Sequence, residues 1–227
     1  MVASKIKKKK NNFIKSIRIP KYKENKKDLP TINSCLNLIK NLKKNENNEK
    51  MKLCYLNILK ISKLFPPAKN ENKFIYGKLI EMELINSFNN FTICEDLDKN
   101  HKVGSEYKND CIIKKKKFSI KASKNGGEVT IINKLNKVSH IIDINFIICH
   151  ISKRKLFIFP NLIINKDYII DKQSNIHFKS SIFKYIEDNH KKFVYNFPEI
   201  EESKLNKINK LNEINIYQYL YNKFIIN

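Results

Sequence analysis

Asp110, Ser119 and Lys121 are residues whose types and spacing could do chemistry together. Ser105 to Ile113 begins polar, passes through Asp110 and ends in the apolar run Cys111, Ile112, Ile113, which reads as a strand. Lys114 to Lys117 follow as a charged turn. Phe118 to Ser123 then returns with Phe118 and Ile120 alternating with Ser119 and Lys121, the period of a strand with one buried face. Ser119 and Lys121 therefore share a face, and a hairpin of this kind brings Asp110, near the middle of its first strand, alongside Lys121. A carboxylate is a hard oxygen ligand suited to Mg²⁺, and a lysine beside it can hold a water or stabilise charge on a phosphate.

One carboxylate holds hydrated Mg²⁺ poorly, so a second acid is expected. The stretch from 72 to 89 reads as a helix with a wide apolar face of Phe74, Ile75, Leu79, Leu84, Ile85 and Phe88, and it carries Glu81 and Glu83. At ~100° per residue these two point about 200° apart, so both cannot face one site. Glu106 is the reserve, since it lies four residues before Asp110 on the same expected strand face.

An Asp followed across a hairpin by Ser119-Ile120-Lys121 resembles the core motif of the PD-(D/E)XK nuclease superfamily, and Gly77-Lys78-Leu79-Ile80-Glu81 resembles the GxxxE signature on the helix before its first core strand. Two positions depart from the pattern. Asn109 stands where a proline often precedes the Asp, and Ser119 stands where an acid usually precedes the Lys by two. The resemblance implies a restriction-endonuclease-like α/β (α+β) fold, a mixed sheet with an αβββ core flanked by helices. It also implies a Mg²⁺-dependent endodeoxyribonuclease acting on DNA. Asp110 and Glu81 would hold the metal, Lys121 would orient the attacking water, and Ser119 would line the site. Two-strand cutting takes two active sites, so a homodimer is the natural expectation.

The elements that must position these residues follow from the apolar pattern. Ile32, Cys35, Leu36, Leu38, Ile39 and Leu42 recur at helical spacing from Pro30 to Leu42, and Leu53, Leu56, Ile58, Leu59, Ile61 and Leu64 do so from Met51 to Leu64, before Pro66-Pro67. Phe91 to Leu97 would be the first core strand. Beyond the hairpin, Asn125-Gly126-Gly127 is a turn, Glu128 to Ile132 a further extended piece, and Asn133 to Val138 a short helix or loop. Asp143 to Ile151 and Lys155 to Phe159 read as two strands completing the sheet. Then Phe178 to Asn189 reads as helical, Phe193 to Phe197 as extended and Lys204 to Phe224 as helical.

These pieces predict a disordered basic arm over 1–29 and one nuclease-like domain over 30–227. Within that domain, 30–67 is helical, 71–160 the catalytic core and 161–227 a helical and extended C-terminal part. A length of 227 residues, 41% of them hydrophobic, suits one sizeable core.

The balance of 45 Lys and Arg against 22 Asp and Glu, a formal net charge of +23, favours a polyanionic partner, because neutralising phosphates releases counterions. Lys, Asn and Ile also dominate as an AT-rich genome would dictate. Two rival readings therefore stand beside the nuclease: a non-catalytic basic nucleic-acid-binding protein on a degenerate nuclease fold, and a structural protein whose charge follows composition. The scattered Cys35, Cys54, Cys94, Cys111 and Cys149 form no CxxC pair and read as buried thiols of a reducing compartment. No HExxH, compact His-Asn-His cluster or Walker loop occurs, which argues against zinc hydrolases, HNH nucleases and P-loop NTPases. No apolar stretch follows the N-terminal lysines, and Ile141 to Ile151 is too short to span a bilayer, so the expected setting is intracellular, cytoplasmic or nuclear, with no membrane.

Overall fold

The structure is a computed structural model that describes residues 29–66, 70–96, 110–133, 144–172 and 175–212. Three helices lead it. In α1 (Leu29–Leu42) the expected stripe of Ile32, Cys35, Leu38, Ile39 and Leu42 is buried. In α2 (Asn48–Leu64) the buried apolar positions are Met51, Cys54, Tyr55 and Ile58, so of the expected stripe only Ile58 is buried and Leu53 faces solvent, and Pro66 follows the C-terminal Phe65. The third, α3 (Asn70–Phe88), buries Tyr76, Ile80, Leu84, Ile85 and Phe88, a stripe on one side of the helix, whereas Ile75 and Leu79 of the expected face are only partly buried.

The main sheet contains β1 (Cys94–Asp96), β2 (Cys111–Ile113), β3 (Lys116–Ser123), β5 (Asn145–His150), β6 (Lys155–Pro160) and β9 (Val194–Asn196), in that spatial order. Neighbours are antiparallel except for β3 and β5, which run parallel, so the sheet is mixed. A second sheet of three antiparallel strands has the order β4 (Val129–Asn133), β8 (Asn175–Phe178), β7 (Ile169–Asp171). The helices α4 (Ile182–Asn189) and α5 (Glu202–Asn209) complete the described residues. The fold is thus mixed α/β of the α+β kind.

Every residue of β5 is buried, including Asn145 and His150, so it lacks alternation because both faces of the sheet are covered. On one face Phe146, Phe157 and Phe159 meet Phe178 and Phe183; the ring centroids of Phe146 and Phe178 lie 5.0 Å apart, as do those of Phe157 and Phe183. On the other face the helical layer packs. Tyr55 of α2 stacks on Phe197 at 4.8 Å and donates its hydroxyl to the carbonyl of Ile151 at 2.8 Å. A single buried cluster joins Ile32 at the start to Phe197 near the end. Each fully buried Phe or Ile in it contributes about 1.5–3 kcal/mol of transfer free energy.

Several expectations need correction. The charged turn is two residues, Lys114 and Lys115, and Lys116 and Lys117 already belong to β3, because Ile113 pairs directly with Lys116. The extended piece expected from Glu128 is found as a strand from Val129, paired in the second sheet. Phe178 is not helical: it ends β8, where it pairs with both Val129 and Ile169, and the helix starts at Ile182. The last expected helix stops at Asn209, with Lys210 in a turn. The arm expected over 1–29 ends one residue earlier, since Leu29 opens α1; its residues 1–28, Glu106, the segment from Lys134 to Val138 and the chain from Glu213 onward lie outside the described residues. Among the described residues no helix is long and apolar enough to cross a membrane.

Candidate active site

Asp110 sits in a bend just before β2, at the entry to the strand and not in its middle. Its N–H donates to the carbonyl of Phe118 at 2.9 Å, the residue that pairs with Cys111, so the bend holds Asp110 against β3 just past the last pair of the β2–β3 ladder. The carboxylate is then held from β3 by three donors on one oxygen. Oδ2 accepts from the Ile120 N–H at 2.5 Å, from Ser119 Oγ at 3.1 Å and from Lys121 Nζ at 3.4 Å. Hydrogen bonds to an ionised acceptor are the strong kind, so this one side chain is tightly oriented. Ser119 is buried, whereas Lys121 keeps 28% of its side chain exposed at the rim.

Glu81 lies on α3, within electrostatic reach of Asp110 and Lys121. Leu84 and Ile80 face the core, which turns Glu81 to the edge of the buried ridge, where its side chain is only 12% exposed. Its pKa is pushed up to about 7, first by burial and next by the negative charge of Asp110, against the opposing pull of Lys78 and Lys121. Two carboxylates and two ammonium groups therefore form one electrostatic cluster. Lys78, which donates to Glu81 Oε1 at 2.5 Å, is the member that sequence reasoning missed. Its signal was present: it lies three residues before Glu81, inside the GxxxE stretch itself.

Glu83 is turned elsewhere, as the helical angle requires. It accepts from Asn57 Nδ2 of α2 at 3.2 Å and from Ser87 Oγ at 3.3 Å, so it serves the contact between α2 and α3.

The motif implies a divalent ion, and the donor set bears on whether one fits. Among the described residues no three His, Cys, Asp or Glu side chains come together as a metal cage. Mg²⁺ does not need one, since it keeps several waters and is commonly bound through one or two carboxylates plus substrate phosphates. The charge of Asp110 adds to burial in disfavouring an ionised Glu81, a cost that a cation bound near both would offset. All donors to Asp110 fall on Oδ2 and Lys78 reaches Oε1 of Glu81, so Oδ1 and Oε2 take no hydrogen bond from the described residues. On chemistry and charge the residues fit Mg²⁺.

No protein-family model, curated protein or solved structure matches this chain.

Proposed function

We propose that this protein is a Mg²⁺-dependent DNA endonuclease with a restriction-endonuclease-like core. The observation that carries the reading is the convergence on Asp110: Ser119 and Lys121 bond its Oδ2, and the charge of Asp110 reaches Glu81 on the preceding helix. The succession α3, β1, β2, β3, with Asp110 at the entry to β2 and Lys121 on β3, follows the αβββ order that the motif resemblance implies.

Asp110 and Glu81 would hold the ion, which when bound supplies charge stabilisation at the phosphate. Lys121, at the rim beside Asp110, would hold the attacking water and offset the charge that grows on the phosphoryl oxygens. Ser119 acts through Asp110, fixing which carboxylate oxygen is engaged. In-line attack by water at phosphorus forms a P–O bond, breaks the bond to the 3′ oxygen, and leaves a 5′-phosphate and a 3′-hydroxyl. The net charge of +23 suits the polyanionic substrate, and two-strand cutting would be met by a homodimer.

The second reading, a nucleic-acid-binding protein without catalysis, is favoured by the serine in place of an acid at 119. Incubating the full chain with duplex DNA in Mg²⁺ and in EDTA separates the two. Cleavage in Mg²⁺ alone supports the nuclease, and salt-dependent binding with no cleavage in either selects the second reading.

A further inference from the structure

Lys114 and Lys115 occupy the two central positions of the β2–β3 turn with φ of 48° and 64°. A two-residue hairpin loop with both central φ values positive is a type I′ turn, whose natural occupants are Asn-Gly, Asp-Gly or Gly-Gly. Lysine pays a steric cost there that glycine avoids and asparagine partly relieves. Asparagine, which suits the turn better, is abundant elsewhere in this chain, yet both central positions carry lysine. Something other than backbone preference keeps lysine at the tip.

Charge is the property these residues have in common. Lys114, Lys115 and Lys117 are exposed, and none of them has an acidic partner among the described residues, whereas Lys52, Lys78, Lys121, Lys155, Lys172 and Lys204 all do. The tip is also firmly anchored. Buried Asn145 donates to the carbonyl of Lys117 at 3.2 Å, from the strand that lies parallel to β3. Lys117, Ser119 and Lys121 alternate on one face of β3, so the exposed charge leads along the strand into the site. At about 3.3 Å per residue the backbone separation from Lys117 to Lys121 is roughly 13 Å, the length of about four nucleotides of one strand at ~3.4 Å each.

We propose that Lys114, Lys115 and Lys117 grip backbone phosphates of duplex DNA flanking the phosphate engaged at Asp110 and Lys121. This deepens the nuclease reading and rests on it for the position of the scissile phosphate. Such a grip carries no base information; it fixes the register of the strand over the site.

The test is duplex binding by the full chain across a salt series in EDTA, with Mg²⁺-dependent cleavage measured separately. The double variant Lys114→Asn/Lys115→Gly installs the preferred turn and removes two charges. It is expected to melt no lower than the parent, while the slope of log K against log salt falls by about 0.9 for each phosphate no longer gripped. Lys117→Gln should lower the slope by a further step. Lys40→Asn/Lys43→Gln, at the C-terminal end of α1, removes the same charge from exposed positions of the helical layer and should leave the slope unchanged. An unchanged slope in the tip variants, an equal fall in the α1 control, or a chain that binds no duplex overturns the proposal. A tip-dependent slope in a parent that never cuts DNA keeps the phosphate grip and discards the nuclease.

Discussion

Glu81 on α3 and Asp110 at the entry to β2 are separated in sequence by the whole of β1, yet the charge of Asp110 helps to push the Glu81 carboxyl up to about 7. The folded value lies above the ordinary 4.5, so the stability this group contributes is fully present below pH 4.5 and is lost as pH rises through 7. Without divalent ions, the parent should lose stability relative to Glu81→Gln across that window, by on the order of a few kcal/mol. Denaturant titrations of both proteins at pH 4.5, 6 and 8 measure the difference. A difference that does not change with pH would mean that Glu81 is not strained by its neighbour.

Magnesium should reverse that penalty. If both carboxylates hold the ion, Mg²⁺ raises the melting temperature of the parent by mass action, and raises it far less in Glu81→Gln or Asp110→Asn. Equal shifts in all three proteins would place the ion elsewhere.

Glu83 offers the control two positions along the same helix. Its carboxylate is engaged by Asn57 and Ser87, so Glu83→Gln should alter stability by about 1 kcal/mol or less and leave Mg²⁺-dependent cleavage at the parental rate. Loss of cleavage in Glu83→Gln with parental stability would exchange the roles of the two acids.

The first three helices and the Asp–Lys hairpin are legible in the chain because each depends on a local pattern: apolar residues at helical spacing in α1 and alternation from Phe118 to Lys121. In α2 the pattern places the helix but not its buried face, since Leu53 is exposed and Cys54 and Tyr55 are buried. The helical angle says only that Glu81 and Glu83 cannot share one site, and the preference for Glu81 rests on the GxxxE resemblance. The departures have physical reasons too. Strands β7 and β8 have three and four residues, too short to display a period, so the apolar pattern merges Phe178 with the helix that follows. The turn at Lys114 and Lys115 carries none of the Gly or Asn that marks a type I′ hairpin, so the run of lysines reads as a longer turn than it is. Nothing local announces the bend at Asp110, and the pattern alone puts that residue mid-strand.

Gly126 tests the packing behind the hairpin. It has φ +75°, and a Cβ there would stand 2.4 Å from Nε2 of His150, a buried ring that also meets Phe183 at 4.8 Å. Gly126→Ala should destabilise the protein by about 1–3 kcal/mol, from the strained backbone and the displaced ring together. Adding His150→Ala should recover the steric part only. A Gly126→Ala protein that melts with the parent would contradict this placement of the turn against β5.

The central claim is that Asp110 and Lys121 form the working centre of a nuclease, and the most direct measurement is the rate of Mg²⁺-dependent cleavage of 5′-labelled duplex DNA. The parent should cut and leave 5′-phosphate ends. Asp110→Ala and Lys121→Ala should each lose at least two orders of magnitude in rate, consistent with the loss of about 3 kcal/mol of transition-state stabilisation, while retaining the parental fold by circular dichroism and leaving duplex binding in EDTA largely intact. Folded variants that cleave at the parental rate, or a folded parent that cleaves nothing in Mg²⁺, would contradict the account.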